Sequence, residues 1–128
     1  MSCSHRFGVN MKRKTLINKL DKLSRAAVIA RDGNTCQWCG KTVEGSNRHV
    51  SHVIPRSKGY ALRWDLKNLK VLCFNCHLQR WHKHPLDAWE WFKSEYPKRA
   101  KYLSKHKNDI ILSKDREKFM LDRVEELK

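Results

Sequence analysis

From about Lys12 onward, apolar residues recur at helical spacing as Leu16, Leu20, Leu23, Ala27 and Ala30. The pattern predicts a helix over 12–34 that stops at "RDGN", with Gly33 as its C-terminal cap. Residues 1–11 carry no such period and are expected to form a disordered tail. Further on the pattern changes. "RHVSHVIP" is rich in β-branched residues and halts at Pro55, which predicts a strand followed by a loop. "RSKGYALRWDLKN" is that loop, and "LKVLC" is apolar enough for a second strand. A helix is expected from near Cys76 towards His84. Pro85 suits the first turn of another, "PLDAWEWFKSEY", with Asp87 favourable near its N-terminus and Tyr96-Pro97 at its end. Leu86, Trp89 and Phe92 are expected to share its core-facing side. A basic helix should follow from Lys98. The last helix, from about Ser113, carries Phe119, Met120, Val124 and Leu127 on one side, and should pack on the first helix or on a second subunit.

This order gives an α+β class, mostly helical: a β-hairpin-plus-helix core over 35–84, a basic helix over 12–34 before it and a helical extension over 85–128 after it. A chain of 128 residues buries only a modest core, so a metal or disulfide would help it.

Charge narrows the partners. The formal charge is +15, from 28 Lys+Arg against 13 Asp+Glu. It is uneven: residues 114–128 hold five basic and five acidic side chains and cancel, whereas "KRAKYLSKHK" has no acid. Patches of one sign are the footprint of phosphate binding, so a nucleic acid is the expected partner. No stretch is long enough to span a bilayer, and "MSCSHRFGVNMKRK" lacks an apolar signal core. We therefore expect no membrane partner and a reducing cytoplasm, where paired cysteines point to metal rather than disulfides. Cys3 stands outside any pair and reads as a free thiol.

Cys36 and Cys39 form one CxxC; Cys73 and Cys76 form another. A two-residue spacer lets both sulfurs of a pair reach one ion, and two pairs complete a closed tetrahedral Zn²⁺ site. The alternative is two unrelated redox pairs. A closed all-thiolate site has no open position, so its role would be shape.

Between the pairs stand "HVSHVIPRSKG" and "WDLKNLKVLC", and then "CH". Taken in order they supply His52, Asn68 and His77, and this stretch resembles the HNH endonucleases of the ββα-metal (His-Me finger) group. "IARDGNTCQWCGK" and "DLKNLKVLCFNCH" resemble the opening and closing segments of zinc-stapled members, so the likeness covers roughly residues 25–84. It implies a ββα-metal core in which Zn²⁺ ties the hairpin to the helix. It also implies a catalytic divalent ion, Mg²⁺ or Mn²⁺. His52 would be the general base, Asn68 the anchor of the loop that orients it, and His77 a ligand of the catalytic ion. One departure stands out: where many members have an aspartate or histidine before the base, this chain has Ser51, a poor ligand. His82, His49 and Asp65 are candidates to replace it, with Asp65 also read as the cap of the turn before Asn68 and His49 as a surface strand residue. A narrower likeness is to phage recombination nucleases of the NinG (Rap) type, which act on branched DNA.

The resemblance implies a metal-dependent DNA endonuclease of low sequence specificity in a bacterial or phage-infected cell. One site cuts one strand, so a double-strand break requires a homodimer or two visits. Arg56, Lys58, Arg63, Lys67 and Lys70 around the hairpin, with Arg80, Lys98, Arg99 and Lys101 beyond it, are the expected phosphate contacts. Trp64 and Trp81 flank the site and offer either base stacking or packing, while Trp89 is assigned to the core. Two other readings stay open: a zinc-stapled nucleic-acid-binding protein without catalysis, motivated by Ser51, and a ribonuclease.

Overall fold

The computed structural model describes the backbone of residues 2–128 and the side chains of residues 13–128. Helix α1 (Ser2–Asp32) leads through a cysteine-bearing turn into strand β1 (His49–His52). A loop of short 3₁₀ turns returns to strand β2 (Leu69–Leu72), and a seven-residue π-helix (Asn75–Trp81) follows at once. Helices α2 (Pro85–Glu95), α3 (Pro97–His106) and α4 (Arg116–Leu127) complete the chain. The α+β, mostly helical class is as expected, with a single two-stranded sheet among the described residues. Of the stretch 1–11, expected to be disordered, the described backbone of residues 2–11 falls on the start of α1, and the side chains of the whole stretch, Cys3 included, lie outside the described residues.

The hairpin is antiparallel, with His49 opposite Leu72, Val50 opposite Val71, Ser51 opposite Lys70 and His52 opposite Leu69. Its outer edge on β2 is covered. Asp32, at the end of α1, accepts the Val71 N–H at 3.0 Å, and Gln37 donates its backbone N–H to the Val71 carbonyl at 2.9 Å. Arg31 and Arg99 both donate to the Leu69 carbonyl. An uncovered edge would template pairing with another chain, so these contacts close the sheet on its β2 side.

Two apolar clusters hold the helices. The larger joins Val28 of α1, Leu69, Val71 and Leu72 of β2, Phe92 of α2 and Leu103 of α3. The smaller joins Leu20 of α1, Trp64 of the loop, and Met120 and Val124 of α4. The last helix thus packs on the first, one of the two arrangements its stripe allowed. The buried stripe of α1 runs Leu20, Ser24, Val28 at four-residue intervals, and Ala30 is exposed, contrary to the predicted face. Gly33 does close α1, with φ 70° and its N–H on the Ile29 carbonyl at 2.8 Å.

Leu86 corrects a second expectation. It is 82 % exposed, while Ala88 and Phe92 are the buried residues of α2. At ~100° per residue, Leu86 stands ~120° round the helix from Phe92, with Trp89 midway between them. Trp89 is accordingly half-buried.

Candidate active site and metal centre

The cysteine turn is built by backbone geometry. Cys36 donates its N–H to the Lys41 carbonyl at 2.8 Å, and Gly40 returns one to the Cys36 carbonyl at 2.9 Å. Gly40 sits at φ 78°, where a side chain would be strained. Cys73 follows directly on β2 and Cys76 lies in the first turn of the π-helix, so the second pair spans the junction of the two elements. All four Sγ atoms lie within 4.8 Å of one another, and those of Cys39 and Cys73 are 3.8 Å apart. A tetrahedral ion with Zn–S bonds of ~2.3 Å needs sulfurs ~3.8 Å apart, so the site fits Zn²⁺. Burial pushes the Cys36 thiol up, but backbone N–H groups of Cys39, Cys73 and Trp38 outweigh it and bring the value to about 7. Arg80 lies against this cluster, with its guanidinium 3.8 Å from Cys76 Sγ and 3.8 Å from the Trp38 ring centre.

His52 is the last residue of β1. Its Nε2 lies 3.0 Å from the Arg63 carbonyl oxygen. A carbonyl only accepts, so Nε2 carries the proton and Nδ1 keeps the basic lone pair. Burial, reinforced by the cations of Arg56, Lys70 and Arg63, lowers the His52 pKa to about 4, against the partial opposition of the Arg63 carbonyl. The ring is therefore neutral at physiological pH.

Asn68 is fully buried and latches the loop that carries this carbonyl. Its Oδ1 accepts the Ile54 N–H at 2.7 Å, and its Nδ2 donates to the carbonyls of Ile54 at 3.0 Å and Leu62 at 2.9 Å. Both ends of the loop are tied to one side chain, and its donors are fully used. Asp65 caps the turn before it, accepting from Lys67 N at 3.0 Å, and also accepts from the Tyr102 hydroxyl. Both of its carboxylate oxygens are engaged, and it does not line the cleft of His52 and His77.

His77 stands on the π-helix between two other histidines. His49 Nε2 is 2.9 Å from the Ser46 carbonyl, which fixes the His49 proton on Nε2. His49 Nδ1 then accepts from His77 Nδ1, 2.9 Å away. That leaves the lone pair of His77 on Nε2, facing His82 Nε2 at 3.1 Å. Neighbouring donors around an octahedral ion with bonds of ~2.1 Å lie ~3.0 Å apart, so this pair fits two positions of a divalent ion. His49 serves as the outer partner that fixes the tautomer of His77. Burial, with His82 and His49 adding to it, lowers the His77 pKa to about 4.

His52, His77 and His82 line one cleft of about 610 Å³, with Arg56 at its margin. Ser51 is not among its walls: it is fully buried, and its Oγ accepts from Lys70 Nζ at 3.0 Å. Lys70 corrects the expected phosphate contacts. It has no exposed surface, and its ammonium lies 3.4 Å from the Trp81 ring centre. Arg99 is also engaged, on the Leu69 and Lys67 carbonyls and over the Tyr96 ring, and Arg63 is paired with Asp21 at 2.8 Å. Arg56, Lys58, Lys67, Lys98 and Lys101 remain exposed. Trp64 is buried, donating to Asp21 at 2.7 Å, and is no base-stacking surface. Trp89, assigned to the core by its spacing, does pack on the main cluster, stacked on Phe92 with ring centres 6.1 Å apart, and it also lines the cleft. Its helical position beside Phe92 gave no signal of that.

Residues 36–83 match the family model for HNH endonucleases, a span that holds both CxxC pairs, the hairpin and all of the cleft's histidines. Comparison with curated proteins and with solved structures gives no match.

Proposed function

From an HNH endonuclease segment that takes in the hairpin and the π-helix, we propose that the protein is a metal-dependent DNA endonuclease that nicks one strand with little sequence preference. The observation that carries this is the common cleft of His52 and the His77–His82 pair. Hydrolysis of a phosphodiester needs a proton acceptor for the attacking water and positive charge at the phosphate. His52 answers the first requirement, as a neutral imidazole whose basic nitrogen is set by the Arg63 carbonyl. His77 Nε2 and His82 Nε2 answer the second by holding a divalent ion, which when bound supplies charge to the phosphate and the leaving oxygen. Asn68 keeps the loop, and with it the Arg63 carbonyl, in register with His52.

The described walls of the cleft include no Asp or Glu. Imidazole nitrogen suits transition ions better than Mg²⁺, so of Mg²⁺ and Mn²⁺ this pair favours Mn²⁺. The Cys36, Cys39, Cys73 and Cys76 set accepts Zn²⁺ for shape alone. Arg56, Lys58, Lys67, Lys98 and Lys101 supply the phosphate footprint, which favours affinity over sequence readout.

The test is supercoiled plasmid incubated with the protein and Mn²⁺ or Mg²⁺, beside a His52→Ala variant. Nicking by the parent, reduced about 10²-fold or more in the variant, is the expected result. Tight binding with no nicking by either protein would favour the non-catalytic binding module, and cutting of RNA alone in a parallel lane the ribonuclease.

A further inference from the structure

A phosphate and its ion need only a polar wall, yet half of this cleft is apolar. Besides the imidazoles, Val53, Ile54 and Pro55 of the segment after β1, and Pro85 and Trp89 of α2, line it. The apolar surface continues outward: Leu86 is 82 % exposed, ~60° round α2 from Trp89. A half-buried tryptophan and an exposed leucine beside a cationic site leave apolar surface that duplex DNA, with its bases stacked inside, would not cover.

We infer that the cleft takes an unpaired nucleotide of DNA next to the scissile phosphate, with its base against Trp89 and Leu86. This rests on the nuclease assignment of the same cleft and adds a substrate class to it: single-stranded or locally unpaired DNA over intact duplex. Charge and shape agree. Arg56 and the divalent-ion pair meet the phosphate, and the apolar lining meets the π-face that every base has. A base in this position must leave its stack, and DNA that is already unpaired spares that cost.

The experiment is a cycle in two dimensions. Parent and Trp89→Leu are compared on a single strand, on the matching duplex, and on single strands with one abasic lesion stepped past the cut site. The parent should cut the single strand at least tenfold faster than the duplex. It should lose about tenfold when the lesion reaches the flanking nucleotide. Trp89→Leu should lose about as much on the intact strand and nothing more on that lesion, because both changes remove one contact. Additive losses, or equal rates on duplex and single strand, would overturn the proposal. Leu86→Ser, at the exposed lip, should give a smaller loss with the same dependence on the lesion, and covers the case in which Trp89→Leu folds poorly. A binding arm separates this failure from failure of the nuclease assignment. In the His52→Ala background, 2-aminopurine in the strand should be quenched on binding, and the quench should vanish with Trp89→Leu. That result supports the base subsite even where no strand is cut, and an unchanged quench counts against it.

Discussion

The Nε2 atoms of His77 and His82 lie 3.1 Å apart, with His82 five positions after His77 in sequence. On an α-helix a residue five further on stands ~140° away round the axis. Here the turn is π-helical: His82 donates its backbone N–H to the His77 carbonyl at 3.1 Å, which widens the turn and brings the fifth residue alongside the first. π-helical turns of this kind are rare and concentrate at functional sites.

The pairing predicts which change costs metal. His82 is exposed, so His82→Ala should leave the thermal midpoint within about 2 °C of the parent. The same change should weaken Mn²⁺ binding about tenfold or more, read by calorimetry or Mn²⁺ spin resonance on the zinc-loaded protein. Mg²⁺ should bind more weakly than Mn²⁺ in the parent. Unchanged Mn²⁺ affinity in the variant would remove His82 from the ion.

Some of this was legible in the sequence and some was not. The two CxxC pairs, His52, Asn68 and His77 stand out by residue type and order, because metal and hairpin geometry constrain them locally. The partner of His77 was ambiguous among His49, His82 and Asp65, since the choice depends on a π-turn that a 3.6-residue period does not describe. Lys70 misled for a different reason. A lysine on a short strand reads as solvent-facing, but with Ser51 opposite and Trp81 above, its ammonium finds partners inside. Contacts distant in sequence decide the tryptophans: Asp21 of α1 takes Trp64 inward, and Trp89 packs on the core while one side of it lines the cleft.

The lowered pKa of His52 predicts an unusual pH response. With a value of about 4, the ring stays neutral down to pH 5, and at saturating Mn²⁺ the rate at pH 5.5 should stay within about threefold of that at pH 7. An imidazole at the ordinary value of ~6.5 would be about 90 % protonated at pH 5.5 and the rate would fall about tenfold. Stability moves the other way. Between pH 6.5 and about 4 the unfolded chain takes up protons that folded His52 and His77 refuse. The contribution of these residues to stability is therefore intact above 6.5 and declines as pH falls towards 4. Denaturant midpoints across that window should drop, and less steeply in His52→Gln.

Removing the staple should be read at the tryptophans. Trp38, between Cys36 and Cys39, stacks on Trp91 of α2 with ring centres 4.7 Å apart and planes 14° from parallel. Zn²⁺ withdrawal by a strong chelator should release that turn, collapse the near-ultraviolet dichroism of the stack and unfold the core, because a closed thiolate site contributes its binding energy to folding. A mild chelator that strips only the cleft ion should stop cutting and leave the dichroism unchanged. Cys39→Ser, at the exposed corner of the cluster, should reproduce the first outcome in part.

The division between exposed and engaged cations gives a salt prediction. Each phosphate neutralised by a side chain contributes about 0.9 to the slope of log affinity against log salt on duplex DNA. Lys58 and Lys67 are exposed, so Lys58→Ala and Lys67→Ala should each reduce the slope, by up to about one unit, across all sequences tested. Lys70 and Arg99 are engaged instead: full burial pushes the Lys70 amine well below the ordinary lysine value and its Nζ donates to Ser51, while the Arg99 guanidinium is held by the Leu69 and Lys67 carbonyls. Lys70→Met should leave the slope within experimental error of the parent and express itself in the thermal midpoint. Arg99→Lys, which gives up the forked contact to the β2 edge, should likewise lower stability before it changes the slope. Slopes that fell equally for Lys58→Ala, Lys67→Ala and Lys70→Met would mean that charge alone, and not the position of the charge, governs the DNA footprint.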